Sequence, residues 1–288
     1  MDSRAYVFIY PLRAKTDIPD DFPQEVRTRK FEMGVFLPQD DSNWFTRPPK
    51  YPARLLLLDG QSFHIIPHPT SGQSPVEIRL DELLQLETGT CLLLGWLRFT
   101  TSSGVHEIVY NTRASRPLEK FLNILKRAWC STSLPVQSIR SQAYGDELDI
   151  KFRNSLHFEL DDREIALVQY FEAPVTFKRR FLFFHRVDWR PGNLILLTSM
   201  NRLLWITDQY RERRELYASV SFSAPASSLH SARIEEIDGR QNLAISFTHG
   251  NSWRLPVGHR AEEISSFSHS LNELAGHGVV SRENNRIL

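Results

Sequence analysis

Ten histidines, two cysteines and thirty-four acidic residues are available for chemistry in this 288-residue chain, but few stand at spacings that chemistry uses. His64 and His68 lie four residues apart, with His106 further along, and imidazoles are common zinc ligands. In an extended strand four residues span ~13 Å, too far for two ligands of one ion unless Pro67 bends the chain. No obvious acidic or cysteine partner accompanies them, so the spacing defines no metal site. Cys91 opens the apolar run Cys91-Leu92-Leu93-Leu94. It reads as a buried small hydrophobe rather than an activated thiolate, which needs a cationic neighbourhood. Asp161-Asp162 and Glu262-Glu263 read as loop and helix-start charges. No Gly-x-Ser-x-Gly, phosphate-binding glycine loop or His-Glu-x-x-His occurs. The expectation is a protein without catalytic residues, metal or cofactor.

One stretch stands out by charge. Taken as a single strand, Phe177–Arg190 carries Phe177, Phe181, Phe183, Val187 and Trp189 on one face, with Arg179 and His185 among them. Lys178, Arg180, Arg186 and Arg190 then share the other face. A basic face backed by aromatics suits an anionic membrane or an acidic protein. At about 1 kcal/mol per cation near such a membrane, four give at most about 4 kcal/mol, a millimolar-class attraction. The same cations equally serve as a solvated face that protects an exposed strand edge.

Composition bounds the rest. The chain is 41% hydrophobic and 24% charged, an ordinary globular balance, and its length favours two domains. Net charge is +1, split as 17 − 15 = +2 over residues 1–140 and 18 − 19 = −1 over 141–288. Neither half has the concentrated basic charge that nucleic-acid binding needs. Two cysteines make no disulfide framework, which fits a reducing cytoplasm. The N-terminal run Ala5–Tyr10 is too short for a signal-peptide core, and no stretch approaches the roughly 18 apolar residues that span a bilayer.

The elements that would position these residues occur twice. Arg54–Ile66 is a strand pair joined at Asp59-Gly60, residues that tolerate the positive φ of a tight turn. Asn193–Thr207 repeats it. Leu55–Leu58 is apolar on both faces and is expected deep in its domain. Residues 13–30 are polar and interrupted by Pro19 and Pro23, so no regular structure is expected there. Strands are expected near residues 6–10, 31–36, 76–80, 91–100 and 105–110, then a helix begun by Pro117 with Leu118, Phe121, Leu122, Leu125 and Trp129 on one stripe. In the second half, strands near 165–171, 217–222, 232–237, 243–248 and 252–257 lead to a helix over Ala261–Ala275. Its stripe is Ile264, Phe267, Leu271 and Leu274, and Gly276 stands where a cap is expected. The period over Leu148–Leu160 permits strand or helix.

The halves keep their offset: Leu55 and Leu194 are 139 residues apart, Trp129 and Leu274 are 145 apart. Leu196-Leu197-Thr198, then Arg202-Leu203-Leu204-Trp205-Ile206-Thr207, then Pro225-x-Ser227-x-Leu229 and Leu243-x-Ile245-x-Phe247 before a helix resemble bacterial pleckstrin-homology-like (PH-like) domains. The resemblance covers roughly 190–276 well and 52–130 less well. It implies a mainly β (α+β) chain of two tandem PH-like barrels, each closed by a C-terminal amphipathic helix. The expected domains are 1–130 (core about 52–130) and 164–276, with a connector at 131–163 and a tail at 277–288. It also implies binding or assembly rather than catalysis, through a protein partner or self-association. Lipid-binding members gather Lys and Arg around the first hairpin. Here that loop is Asp59-Gly60-Gln61, and the second offers only Arg202.

Overall fold

The apolar runs do form the centre of the protein, in a chain that is mainly β-strand. The computed structural model describes residues 8–39, 51–91, 94–113, 115–130, 148–161, 164–181, 184–208, 219–237, 240–258 and 261–284, with backbone alone at 177–181, 184–189, 240, 261 and 274–284. The chain divides into two compact units, Met1–Trp129 and Cys130–Leu288.

The first unit begins with β1 (Tyr10–Leu12), a short helix α1 (Gln24–Thr28), and strands β2 (Met33–Leu37), β3 (Arg54–Asp59), β4 (Ser62–Pro67) and β5 (Val76–Arg79). These strands pair antiparallel in chain order. The hairpin turn between β3 and β4 puts Gly60 at φ +58°, the left-handed conformation that excludes most side chains. Next come β6 (Leu83–Cys91), β7 (Leu94–Thr101) and β8 (Gly104–Asn111), a second antiparallel meander. The expected helix follows as α2 (Arg116–Cys130). Its whole stripe, Leu118 through Trp129, is buried, and the rings of Phe63 on β4, Phe99 on β7 and Phe121 on α2 meet at 4.8 and 5.9 Å.

Residues 13–31 are not the irregular loop their composition predicts. They form a strap containing a 3-10 turn (Lys15–Asp17) and α1. Ile18 and Phe22 are each 2% exposed, and Val26 and Phe31 pack beside them against Leu12, Phe36, Leu55, Leu57 and Ile66. The first sheet is therefore buried on both faces. That accounts for the unbroken apolar run of β3, since a strand covered on one side only would alternate.

The second unit repeats the device. It contains α3 (Ile150–Glu159), β9 (Ala166–Glu172), β10 (Val175–Phe181), β11 (Phe184–Arg190), β12 (Asn193–Thr198), β13 (Arg202–Thr207) and β14 (Ser219–Pro225). Strands β9, β12, β13 and β14 lie side by side in that order, and β10 pairs with β11 as a separate ribbon. The ambiguous stretch before β9 is thus helical, started by Asp149, whose side chain accepts from the Lys151 N–H at 3.1 Å. Leu148, Phe152 and Leu156 lie against Leu194, Leu196, Leu204 and Ile206. Leu194 and Leu196 stand 139 residues after Leu55 and Leu57 and occupy the same covered face. On the opposite face Ile195, Leu197, Leu203 and Trp205 meet β15 (Leu229–Ile237), β16 (Arg240–Phe247), β17 (Ser252–Pro256) and α4 (Ala261–Asn284).

Closed barrels were expected, but the sheets are open. Among the described residues no ladder joins β5 to β6 or β14 to β15. In the second unit Pro225 lacks an N–H, and a 3-10 turn (Ala226–Ser228) turns the chain away before β15. A second difference is that α4 continues through Gly276 to Asn284, where a cap and a tail were expected. An interior glycine costs a helix only about 1 kcal/mol.

Close cross-strand approach requires glycine at position 89. A Cβ on Gly89 would lie 1.9–2.0 Å from ring atoms of Trp96, its partner on β7. Trp96 is held by its Nε1–H donating to Glu87 at 2.9 Å and cannot swing aside freely. Gly89→Ala is expected to destabilise the first unit by about 1–3 kcal/mol, read by denaturant unfolding.

Candidate functional site

The two hairpin tips are where a phosphate would be held if this chain bound one in the manner its resemblance implies. At the first tip Asp59 is a half-buried acid and Gly60 and Gln61 are exposed, so no cation is presented. At the second, Arg202 is 1% exposed and turned inward. Its Nε and Nη2 donate to Glu164 at 3.1 and 2.7 Å, a bidentate charged pair. Nη2 also donates to the Glu159 carbonyl at 2.8 Å and Nη1 to Ser223 at 3.2 Å. Thr198 donates to Glu164, and Ser221 to Glu159, each at 2.5 Å. Burial alone would lower the Arg202 pKa, but the Glu164 carboxylate, with Glu159, more than offsets it. This guanidinium is a rivet between the end of α3, the start of β9 and β13. It is committed to the interior.

The histidines on and just after β4 are likewise used to hold the covering strap. His68 caps the 3-10 turn Pro69–Ser71, its Nδ1 accepting from the Thr70 N–H at 3.3 Å, with Thr70 Oγ1 at 2.8 Å. Its Nε2 is 3.0 Å from Asp21 on the strap, and its ring meets Phe22 edge-on at 5.3 Å. Carboxylate, imidazole and hydroxyl stand in the sequence of a nucleophile relay, yet Nδ1 is already occupied by the turn it caps. His64, four residues earlier, is 2% exposed, with Nε2 at 3.0 Å from Arg29 Nη2 and Nδ1 at 3.7 Å from Glu77. The spacing that drew attention to these histidines therefore serves two separate anchors. His106 belongs to β8, opposite Phe99 on β7. Among the described residues no three His, Cys, Asp or Glu side chains converge as metal ligands. Cys91 is half-buried at the end of β6 rather than buried in the core.

The basic stretch is two strands, not one. Register sets Lys178 opposite Val187, Arg180 opposite His185, Arg186 opposite Arg179 and Arg190 opposite Val175. Because the register pairs odd positions with even ones, residues 178 and 180 share a face of the ribbon with 185, 187 and 189. Residues 186 and 190 share the other with 175, 177 and 179. The side chains of Lys178, Arg180 and Arg186 lie outside the described residues. Arg190 donates to Glu172 at 2.7 Å, and that carboxylate also accepts from Tyr170 at 3.3 Å.

Other charged groups that sequence reasoning passed over are also internal. Glu87, 3% exposed, accepts from Trp96 and from Arg98 at 3.2 Å, and Arg98 reaches on to Glu107 at 2.8 Å. Asp208 accepts from the Gly192 N–H at 2.8 Å with Lys151 at 4.0 Å; burial pushes its pKa up. A charged residue within an otherwise apolar strand is the signal that could have located such pairs, and Arg202 beside Leu203-Leu204 carries it. No helix of the described residues is long and apolar enough to cross a membrane. No protein-family model matches the chain, and no curated protein matches it.

Proposed function

We propose that this chain is a non-catalytic cytoplasmic binding protein of two PH-like modules, working in protein–protein recognition or self-assembly. The element order supports the module assignment. The first unit runs an antiparallel meander β1–β5, a three-stranded meander β6–β8 and a helix; in the second, β9 and β12–β14 lie side by side, with the β10–β11 ribbon between β9 and β12 in sequence, before a three-stranded meander β15–β17 and a helix. The observation that carries the functional reading is the fate of Arg202. The one cation at either hairpin tip is consumed by Glu164, which argues against head-group capture and leaves outward-facing surfaces as the working parts.

The test sets protein recognition against peripheral membrane contact through Lys178, Arg180, Arg186 and Arg190. Full-length protein is sedimented with vesicles containing anionic phospholipid at physiological salt, and in parallel is used for affinity capture and analytical ultracentrifugation. No co-sedimentation, together with a defined partner or concentration-dependent self-association, is expected. Co-sedimentation that disappears when Lys178, Arg180 and Arg186 are reversed to Glu would replace this reading with the membrane one. Arg190 is left intact there because of its ion pair with Glu172.

A further inference from the structure

The strap over the first sheet is held at its two ends by different chemistry. Its leading end is seated by Ile18 and Phe22, each 2% exposed, and by the Asp21–His68 contact. Its trailing end carries only partly buried apolar groups, Val26 and Phe31, and the polar contacts of Arg29, on His64 at 3.0 Å and, longer, on the exposed Glu77 carboxylate at 3.8 Å. A guanidinium has donors and no acceptor, so at 3.0 Å the His64 Nε2 must be the acceptor. That requires a neutral ring with its proton on Nδ1, facing Glu77.

We propose that this anchor is a proton-operated clasp: neutral His64 holds residues 23–31 against the sheet, and protonation of His64 lets that end of the strap lift, hinged at Phe22. Protonation removes the lone pair that Arg29 donates to and sets two cations about a hydrogen-bond length apart. The partner that moves is decided by exposure. The His64 side chain is 3% exposed in a strand flanked by β3 and β5, whereas the Arg29 side chain is 37% exposed at the end of a five-residue helix. Arg29 swings into water and draws α1 with it.

The charged groups facing His64 are Arg29 after α1, Glu77 on β5 and Asp59 on β3. Burial, then Arg29, lower the His64 pKa; Glu77 and Asp59 oppose them without reversing the result. The open strap therefore binds a proton more readily than the closed one. Closure is complete above the ordinary imidazole value of about 6.5 and weakens as pH falls below it, levelling off once the closed form also titrates.

Hydrogen–deuterium exchange of the full chain tests this, following peptides over residues 23–32 and correcting for the intrinsic pH dependence of exchange. Opening of wild-type 23–32 is expected to rise between pH 7.5 and 5.5, by at most about tenfold, the limit for an imidazole of ordinary value in the open form. His64→Gln keeps an acceptor for Arg29 but cannot titrate, so its strap is expected to stay closed at both pH values. Arg29→Met, at a half-exposed position, is expected to open more at pH 7.5 and to lose the pH response. A wild-type strap indifferent to pH overturns the clasp. So does an undiminished pH response in His64→Gln, or in Arg29→Met if the histidine variant does not fold.

Discussion

Arg202→Ala is expected to destabilise the second unit by about 3–5 kcal/mol, because it strands a buried carboxylate rather than merely deleting a contact. Glu164 is 7% exposed overall and, among the described donors to its side chain, would keep only the Thr198 hydroxyl and a long contact from the Asp161 N–H at 3.4 Å. The Glu159 carbonyl and Ser223 hydroxyl would lose their donor as well. The comparison that isolates this cause is Arg202→Met combined with Glu164→Leu. Removing both charges is expected to recover most of the loss, within about 1–2 kcal/mol of wild type, since buried pairs are costly to assemble and costlier to break. Hydrogen exchange of β12 and β13 reads the second unit by itself, where a single unfolding curve for two units would not. A double variant as unstable as Arg202→Ala would remove charge burial as the explanation.

Trp129→Ala is expected to cost the first unit about 3–5 kcal/mol. The residue closes the apolar stripe of α2 at 8% exposure, and its Nε1–H donates to the Leu83 carbonyl at 2.8 Å, where β6 begins. Truncation leaves a cavity and removes that donor together. Trp129→Phe keeps most of the volume and loses the hydrogen bond, so it is expected to fall between the two, about 1–2 kcal/mol below wild type. Denaturant unfolding followed by exchange in β6 and β7 checks both. Unchanged protection in Trp129→Ala would take α2 out of the core.

How much of this was legible depends on the range of the interactions. The first hairpin was, because Asp59-Gly60 states its turn locally; Gly60 has a φ of +58°. Helix α2 was, since its stripe recurs at the helical period. The strap was not. Ile18, Phe22 and Val26 repeat every four residues, but Pro19 and Pro23 interrupt them and the surrounding polar residues mask them. Its anchors join Asp21 to His68 and Arg29 to His64, distant in sequence and silent in any local pattern. The basic ribbon misled for a different reason. The register pairs odd positions of β10 with even positions of β11, so a face drawn on one continuous strand is divided in the hairpin.

The covering of both sheet faces bears on where each module begins as an object that can exist in water. The segment that recurs at a 139-residue offset starts at the first strand of the hairpin, yet Leu55 and Leu57 are sealed by residues 18–31, and Leu194 and Leu196 by residues 148–156. The hairpin of each unit is thus shorter than what must fold. A fragment trimmed to the repeat would present an oily slab to solvent and seek another chain to cover it, so each module inherits its solubility from the sequence that precedes it.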